Sequence, residues 1–318
     1  MTTTTKPTIS KKSASSKKPQ PKSLIEDHAR LDPSHCLADG LFKPLFRGSR
    51  TSAVLDVEYN FQKFVFCWSG PELLSIGDQS VFLAIHRLAV QPGRAEQVGQ
   101  SHDNPLFVTI RSLLDMSYQA TDLECLVLMA SPTEIATTMG IAGNGQALKR
   151  IQESLDRLSK VFLSIHRSET PDTIVWQSKL LSTTLSNRKI LVGFNPLLSK
   201  ALQGKPATFI DMREQRALKS DTTKRLHVWL SCWLGINHSH QERKVDMNHL
   251  IRHVWGDVST GETLYSRRTA LKKVLSEMNS LTGWECVLTA SGSVVIKRTP
   301  VKANQPITEA TDLTARNP

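Results

Sequence analysis

The sequence predicts an α+β chain in which one arrangement, a short helix, a longer helix and a β-hairpin, occurs twice in tandem. Three observations carry this: helix-start signals ahead of apolar faces of helical period, a pair of alternating runs after each long helix, and a formal charge of +11 over 318 residues. The length suits two domains, each with a core of its own. The expected division is a tail over 1–30, a first domain over 31–203, a second over 204–300 and a tail over 301–318.

From Met1 to Lys22 there are six lysines and no acid among Thr, Ser and Pro. Such a stretch has almost nothing to bury and is expected to be disordered, as is the polar run from Val301 to Pro318. Val54 to Tyr59 and Phe64 to Trp68 alternate like two short strands. Val81, Phe82, Ile85 and Leu88 recur at helical spacing over Asp78 to Val90. Gln91 to Pro105 is polar, with Gly and Pro, and reads as an exposed connection.

Ser131-Pro132-Thr133-Glu134 combines a capping serine, a proline in the first turn and a glutamate three after the cap. That is a capping box opening a helix over Thr133 to Met139, which Gly140 stops. After the turn Gly143-Asn144-Gly145, a helix over Gln146 to Lys160 aligns Leu148, Ile151, Leu155 and Leu158. Two β-like runs follow, Val161 to His166 and Ile174 to Thr184, separated by Glu169-Thr170-Pro171-Asp172.

The order then repeats. Ser220-Asp221 caps a helix bearing Leu226, Val228, Trp229, Leu230, Trp233 and Leu234. Asp246 opens a short helix with Met247, Leu250, Ile251 and Val254. A polar loop from Gly256 to Gly261 leads to a long helix from Thr263 to Leu281, its apolar face made of Leu264, Leu271, Val274, Leu275, Met278 and Leu281. Glu285 to Thr289, the turn Ala290-Ser291-Gly292, and Ser293 to Lys297 close the pattern as strand, turn and strand. Short helix, turn, long helix and hairpin is the order of a winged helix. The expected fold is therefore two tandem winged-helix (helix-turn-helix) domains.

The 40 Lys plus Arg against 29 Asp plus Glu suit a polyanionic partner, nucleic acid or an anionic membrane surface. No apolar run approaches the ~20 residues of a membrane helix, and the N-terminus lacks the apolar centre of a secretory signal. Double-stranded DNA is thus the expected partner, and no membrane. The five cysteines are scattered, with no C-x-x-C pair, which argues against a zinc knuckle or a disulfide framework and for reduced thiols in the cytoplasm. No metal or cofactor is implied.

A helix that reads the major groove buries one side and shows the other to phosphates and base edges. On the second long helix the side opposite the core carries Ser266, Thr269, Lys272, Lys273 and Ser276, with Arg267 and Arg268 nearer the core edge. The competing reading is an ordinary solvated basic face. The first long helix offers Gln146, Lys149, Arg150, Glu153, Arg157 and Lys160, a weaker charge bias that fits a reading helix or a structural one equally. Lys297 and Arg298 in the second hairpin and Arg167 in the first complete the candidate DNA contacts.

Signals for catalysis fail in context. His238-Ser239-His240 resembles the paired metal-binding histidines of rolling-circle nucleases, which sit on a buried strand with a tyrosine nucleophile nearby. Here the pair lies in a polar stretch, Asn237 to Lys244, and the chain has three tyrosines, Tyr59, Tyr118 and Tyr265. His35-Cys36 suggests a thiol with its base, but adjacent residues seldom hold that geometry. No G-x-x-x-x-G-K-[ST] occurs. The expectation is a protein that is not an enzyme, with a metal-dependent nuclease using His238 and His240 as the minor alternative and a winged-helix transcriptional repressor as the nearer one.

Several runs then resemble a known family. Asp32-Pro33-Ser34-His35-Cys36-Leu37-Ala38-Asp39-Gly40-Leu41-Phe42 with Arg47-Gly48, then Phe194-Asn195-Pro196-Leu197 and Arg216-Ala217-Leu218-Lys219-Ser220-Asp221-Thr222, are similar to the replication initiators of IncQ-type plasmids, the RepC family. Val254-Trp255, Arg267-Arg268 and Leu281-Thr282-Gly283-Trp284 continue the match, which spans about Leu31 to Pro300 and is loose from Phe61 to Leu128. The resemblance implies two winged-helix domains that bind directly repeated sites, iterons, at a plasmid origin. It also implies opening of adjacent A+T-rich DNA and recruitment of a plasmid-encoded helicase and primase, with a homodimer among the forms to be considered. It carries a DNA-contact role to Arg267, Arg268 and their helix.

Overall fold

The computed structural model describes residues 27–45, 50, 53–204, 206–235, 241–257 and 260–299. The two expected tails, except for residues 27–30, and the His238/His240 pair lie outside the described residues. The chain opens on β1 (His28–Leu31) and α1 (Pro33–Leu37), followed by β2 (Leu55–Phe61), β3 (Phe64–Gly70) and α2 (Ile76–Ala89). Next come β4 (Ala95–Val98), α3 (Pro105–Ser112), β5 (Ser117–Tyr118), β6 (Cys125–Ala130), α4 (Pro132–Met139) and α5 (Gly145–Ser159). Four strands follow, β7 (Phe162–Arg167), β8 (Thr170–Lys179), β9 (Leu181–Ser186) and β10 (Lys189–Phe194), then α6 (Pro196–Leu202), β11 (Thr208–Asp211) and α7 (Met212–Ala217). The last part is α8 (Asp221–Trp233), β12 (Gln241–Asp246), α9 (Met247–Trp255), α10 (Gly261–Met278), β13 (Trp284–Leu288) and β14 (Ser293–Arg298).

The helix starts follow the side chains that satisfy free backbone donors. Ser131 Oγ accepts the Glu134 N–H at 3.2 Å while the Glu134 carboxylate accepts the Ser131 N–H at 2.7 Å, which opens α4. Gly140 ends it with φ 75, a left-handed conformation that costs glycine nothing. The side chains of Asn144, Ser220 and Asp246 cap α5, α8 and α9 by accepting the Ala147, Thr223 and Asn248 N–H groups.

Two β expectations change. The run Ile174 to Thr184 is not one strand: it divides at Leu180 between β8 and β9, which belong to different sheets. Leu180 is fully buried and its N–H donates to Val161 O at 2.7 Å, so the chain bends there over α5. The connection read over Gln91 to Pro105 contains β4, held by pairing with β6 and by a buried Val98.

All the strand pairs between named strands are antiparallel. The sheets run β2-β3-β7-β8-β5, β4-β6-β10-β9, β1-β11 and β12-β14-β13. One buried core joins the first two sheets to α2 and α5 through Trp68, Phe82, Leu155 and Phe194. Another gathers Leu230 of α8, Val254 of α9, Leu271, Val274 and Met278 of α10, and Ile296 of β14. Each such side chain contributes about 1.5–3 kcal/mol on burial, which fixes α10 against its neighbours. Helix α8 serves both cores, with Val228 turned to the first and Trp229 to the second. Strand β11 pairs with β1, and Met212 joins the first core, so the chain stays with the first body past residue 203.

Inside the first body Asp78 is fully buried. Its carboxylate accepts Arg157 Nε and Nη2 at 3.0 and 2.9 Å and Arg50 Nη1 at 2.9 Å. Burial pushes this carboxyl up, but the Ser75 N–H and the Arg157 guanidinium outweigh it and leave its pKa below the ordinary value. The network ties the start of α2 to α5.

Candidate nucleic-acid interface

Helix α10 has two unlike sides. Leu271, Val274, Leu275 and Met278 are buried, while Tyr265, Ser266, Arg268, Thr269, Lys272, Lys273 and Ser276 are exposed. No acidic residue stands between Glu262 and Glu277. Glu277 itself is turned away, since its carboxylate accepts the Ser220 N–H at 3.1 Å and the Thr223 hydroxyl at 2.6 Å at the start of α8. These donors hold its pKa below the usual value against the effect of burial, so it stays ionised without neutralising the cationic side.

That side faces a groove shared with the hairpin turn. Tyr265, Arg268, Thr269 and Lys272 of α10 line it with Leu288, Thr289, Ala290, Ser291 and Gly292 of the hairpin, and Asp246, Met247 and Asn248 at the start of α9 complete the lining. The turn is tight because Thr289 N–H donates to Ser293 O at 2.8 Å and Gly292 takes φ 79. Beside the groove Arg268 donates to Asn248 Oδ1 through Nη2 and Nε at 3.0 and 3.3 Å, which fixes its guanidinium plane.

Not every candidate side chain joins this surface. Arg267 leaves the cationic side: it pairs with Asp257 and lies 5.5 Å from the Trp255 ring centroid. Arg298 contradicts the expectation outright, being 5% exposed. It donates to Glu214 at 2.8 Å and to Leu234 O at 2.9 Å, and sits 4.4 Å over the Trp284 ring. The cause is strand alternation, which puts Val294, Ile296 and Arg298 on the inner face of β14. Lys297 points outward, but between Glu242 and Glu285 at 3.7 and 3.8 Å, which largely cancel its charge.

On α5, Lys149 and Arg150 are exposed beside Gln146 at the capped end. Arg157 is corrected: its guanidinium is committed to the buried Asp78 and is not available to a phosphate. Lys160 pairs with Asp156 at 2.6 Å. Arg167 is exposed at the end of β7.

Sequence reasoning missed Tyr265, 76% exposed on the same row of α10 as Thr269 and Lys272. A large aromatic reads as core by default, but its spacing of four and seven residues from those polar positions was the available signal. It also missed Asn248 as the partner that orients Arg268. Among the described residues no helix is long and apolar enough to cross a membrane.

The structure is similar to a crystal structure of domains 2 and 3 of RctB, with a TM-score of 0.51 at 11% identity over 85% of this chain and 99% of that one. A second RctB structure of the same domains gives a TM-score of 0.49 at 10% identity, covering 84% and 95%. The Pi initiator protein in complex with iteron DNA gives 0.42 at 9% identity, covering 55% of this chain and 82% of that one. No curated protein sequence matches the chain. The first likeness shows a shared mixed α/β fold. At the level of sequence, the family model Replication protein C (RepC) matches residues 24–300. The chain belongs to the RepC family of replication initiators.

Proposed function

We propose that the chain initiates plasmid replication without catalysing a reaction, by binding iterons at a plasmid origin through two winged-helix units. The division falls after α7, with α4, α5 and the β7–β8 hairpin in the first unit and α9, α10 and the β13–β14 hairpin in the second. The observation that carries this reading is the acid-free outer side of α10 across a groove from the hairpin turn. A major groove about 12 Å wide admits such a helix. Arg268 and Thr269 then reach base edges, Tyr265 offers an apolar contact to a thymine methyl, and Lys272, Lys273 and Ser276 hold phosphates. Ser266 lies on the flank of this surface. Lys149 and Arg150 give α5 a second, weaker approach to the duplex.

Family membership supports the further steps: opening of A+T-rich DNA beside the repeats, recruitment of a plasmid-encoded helicase and primase, and association with a second copy. The cytoplasm is where these partners meet. The chain binds supercoiled plasmid carrying its cognate origin and leaves it uncut in Mg²⁺ or Mn²⁺. Agarose-gel analysis checks this, and metal-dependent nicking abolished by His240→Ala would overturn the non-catalytic reading.

A further inference from the structure

The run Asp32 to Phe42 carries the sharpest motif of the chain, yet none of it lies on α10 or α5. It sits between the two cores. Cys36, Ala38, Leu41 and Phe42 are buried in the first, while Leu37 packs against the second. Three contacts of different kinds tie it to the helices that carry α10.

Arg225 of α8 is fully buried and donates to Cys36 O at 2.9 Å and Ala38 O at 2.8 Å. These are carbonyls at the end of α1, groups that would otherwise lose their hydrogen bonds on burial. Asp39 pairs with His253 of α9, whose ring stacks on Trp229 at 4.1 Å. Gly40 meets Gly256 backbone to backbone. A Cβ on Gly256 would lie 2.6 Å from Gly40 Cα and 3.0 Å from its nitrogen, and Gly256 holds φ 80 at the end of α9. Gly256 caps α9 five residues before α10 begins at Gly261. On its other side the run is seated on α2 and β3, with Phe42 against Phe82 at 5.6 Å and His35 edge-on to Trp68 at 5.4 Å.

The run thus bridges the core that packs α5 and the core that packs α10, and a stiff bridge cannot follow a change in the spacing of what the two helices bind. One inserted base pair moves an element by about 3.4 Å and turns it by roughly 35°. We propose that the Asp32–Phe42 run is a strut that sets the spacing between the two DNA elements the chain accepts, with Asp39, Gly40, Arg225 and Gly256 as positioning residues. This rests on the reading that both units touch DNA.

The test uses the full chain and a duplex selected by it from a randomised pool, with the elements protected by each unit located by hydroxyl-radical footprinting. One or two base pairs are then inserted between those elements. The wild-type chain loses about tenfold or more in affinity on insertion. Asp39→Ala and Arg225→Lys, confirmed folded by thermal melting, keep wild-type affinity for a duplex with the α10 element alone. Their insertion penalty falls to about threefold or less. Should Arg225→Lys fail to fold, Asp39→Ala, at a partly exposed position, carries the comparison. A wild-type chain indifferent to insertion, or folded variants with the full penalty, overturns the strut. Unchanged affinity of Lys149→Ala/Arg150→Ala for the intact duplex instead sinks the two-unit reading beneath it.

Discussion

Replacing Arg268 and Lys272 together with alanine weakens binding to the cognate origin by about one hundredfold, the sum of a base contact worth about 1–3 kcal/mol and a phosphate contact of similar weight. The two losses separate by their salt dependence. Removing Lys272 makes the slope of log K against log salt shallower by about 0.9 and weakens specific and random DNA alike. Removing Arg268 mainly erodes discrimination between them. Lys297→Ala changes little, because Glu242 and Glu285 already stand on either side of that ammonium. Fluorescence anisotropy across a salt series reads all three. Wild-type affinity in the Arg268/Lys272 double variant would remove α10 from the interface.

Glu214→Ala lowers the stability of the chain by about 3–5 kcal/mol, a large share of an ordinary domain's total. Glu214 is buried and accepts from both Arg298 Nη2 at 2.8 Å and His227 Nε2 at 2.6 Å, so its loss leaves a buried guanidinium without its carboxylate. Burial pushes the Glu214 carboxyl up, but Arg298 and His227 outweigh this and hold its pKa below the ordinary value. Its contribution is therefore complete above the normal carboxylate range and is lost as pH falls through the depressed value. His86 works in the same direction over a higher window. Burial holds its pKa at about 3 against an ordinary 6.5, so below 6.5 the unfolded chain takes up the proton first and stability declines. Urea midpoints at pH 7 and at pH 4 check both. Glu214→Gln shows a smaller drop between the two pH values than the wild type, and an equal or larger drop would contradict the assignment.

The parts of the fold legible in the sequence are those whose signals are local. The capping box at Ser131 and Glu134, the caps at Ser220 and Asp246, and the turn at Gly292 each place an element within a residue or two of where it lies. The elements that escaped are made by pairing over distance. Strand β12 has the sequence QERKVD, with a single apolar residue, and exists because it pairs with β14. Strands β1 and β11 are four residues each and meet across most of the chain. The candidate site divides in the same way. A helical wheel finds Lys272, Lys273 and Thr269, since one helix decides their direction. The wheel misjudges Arg157 and the hairpin reading misjudges Arg298, whose partners Asp78 and Glu214 lie 79 and 84 residues away. A cation reads as a surface group until the acid that buries it is known.

Iteron binding without catalysis is tested by footprinting the full chain on its cognate plasmid origin at physiological salt. The expected result is protection recurring at a regular interval over direct repeats, with major-groove guanines shielded in each repeat and both strands left intact. A single palindromic footprint, protection indifferent to sequence, or strand cleavage would contradict it.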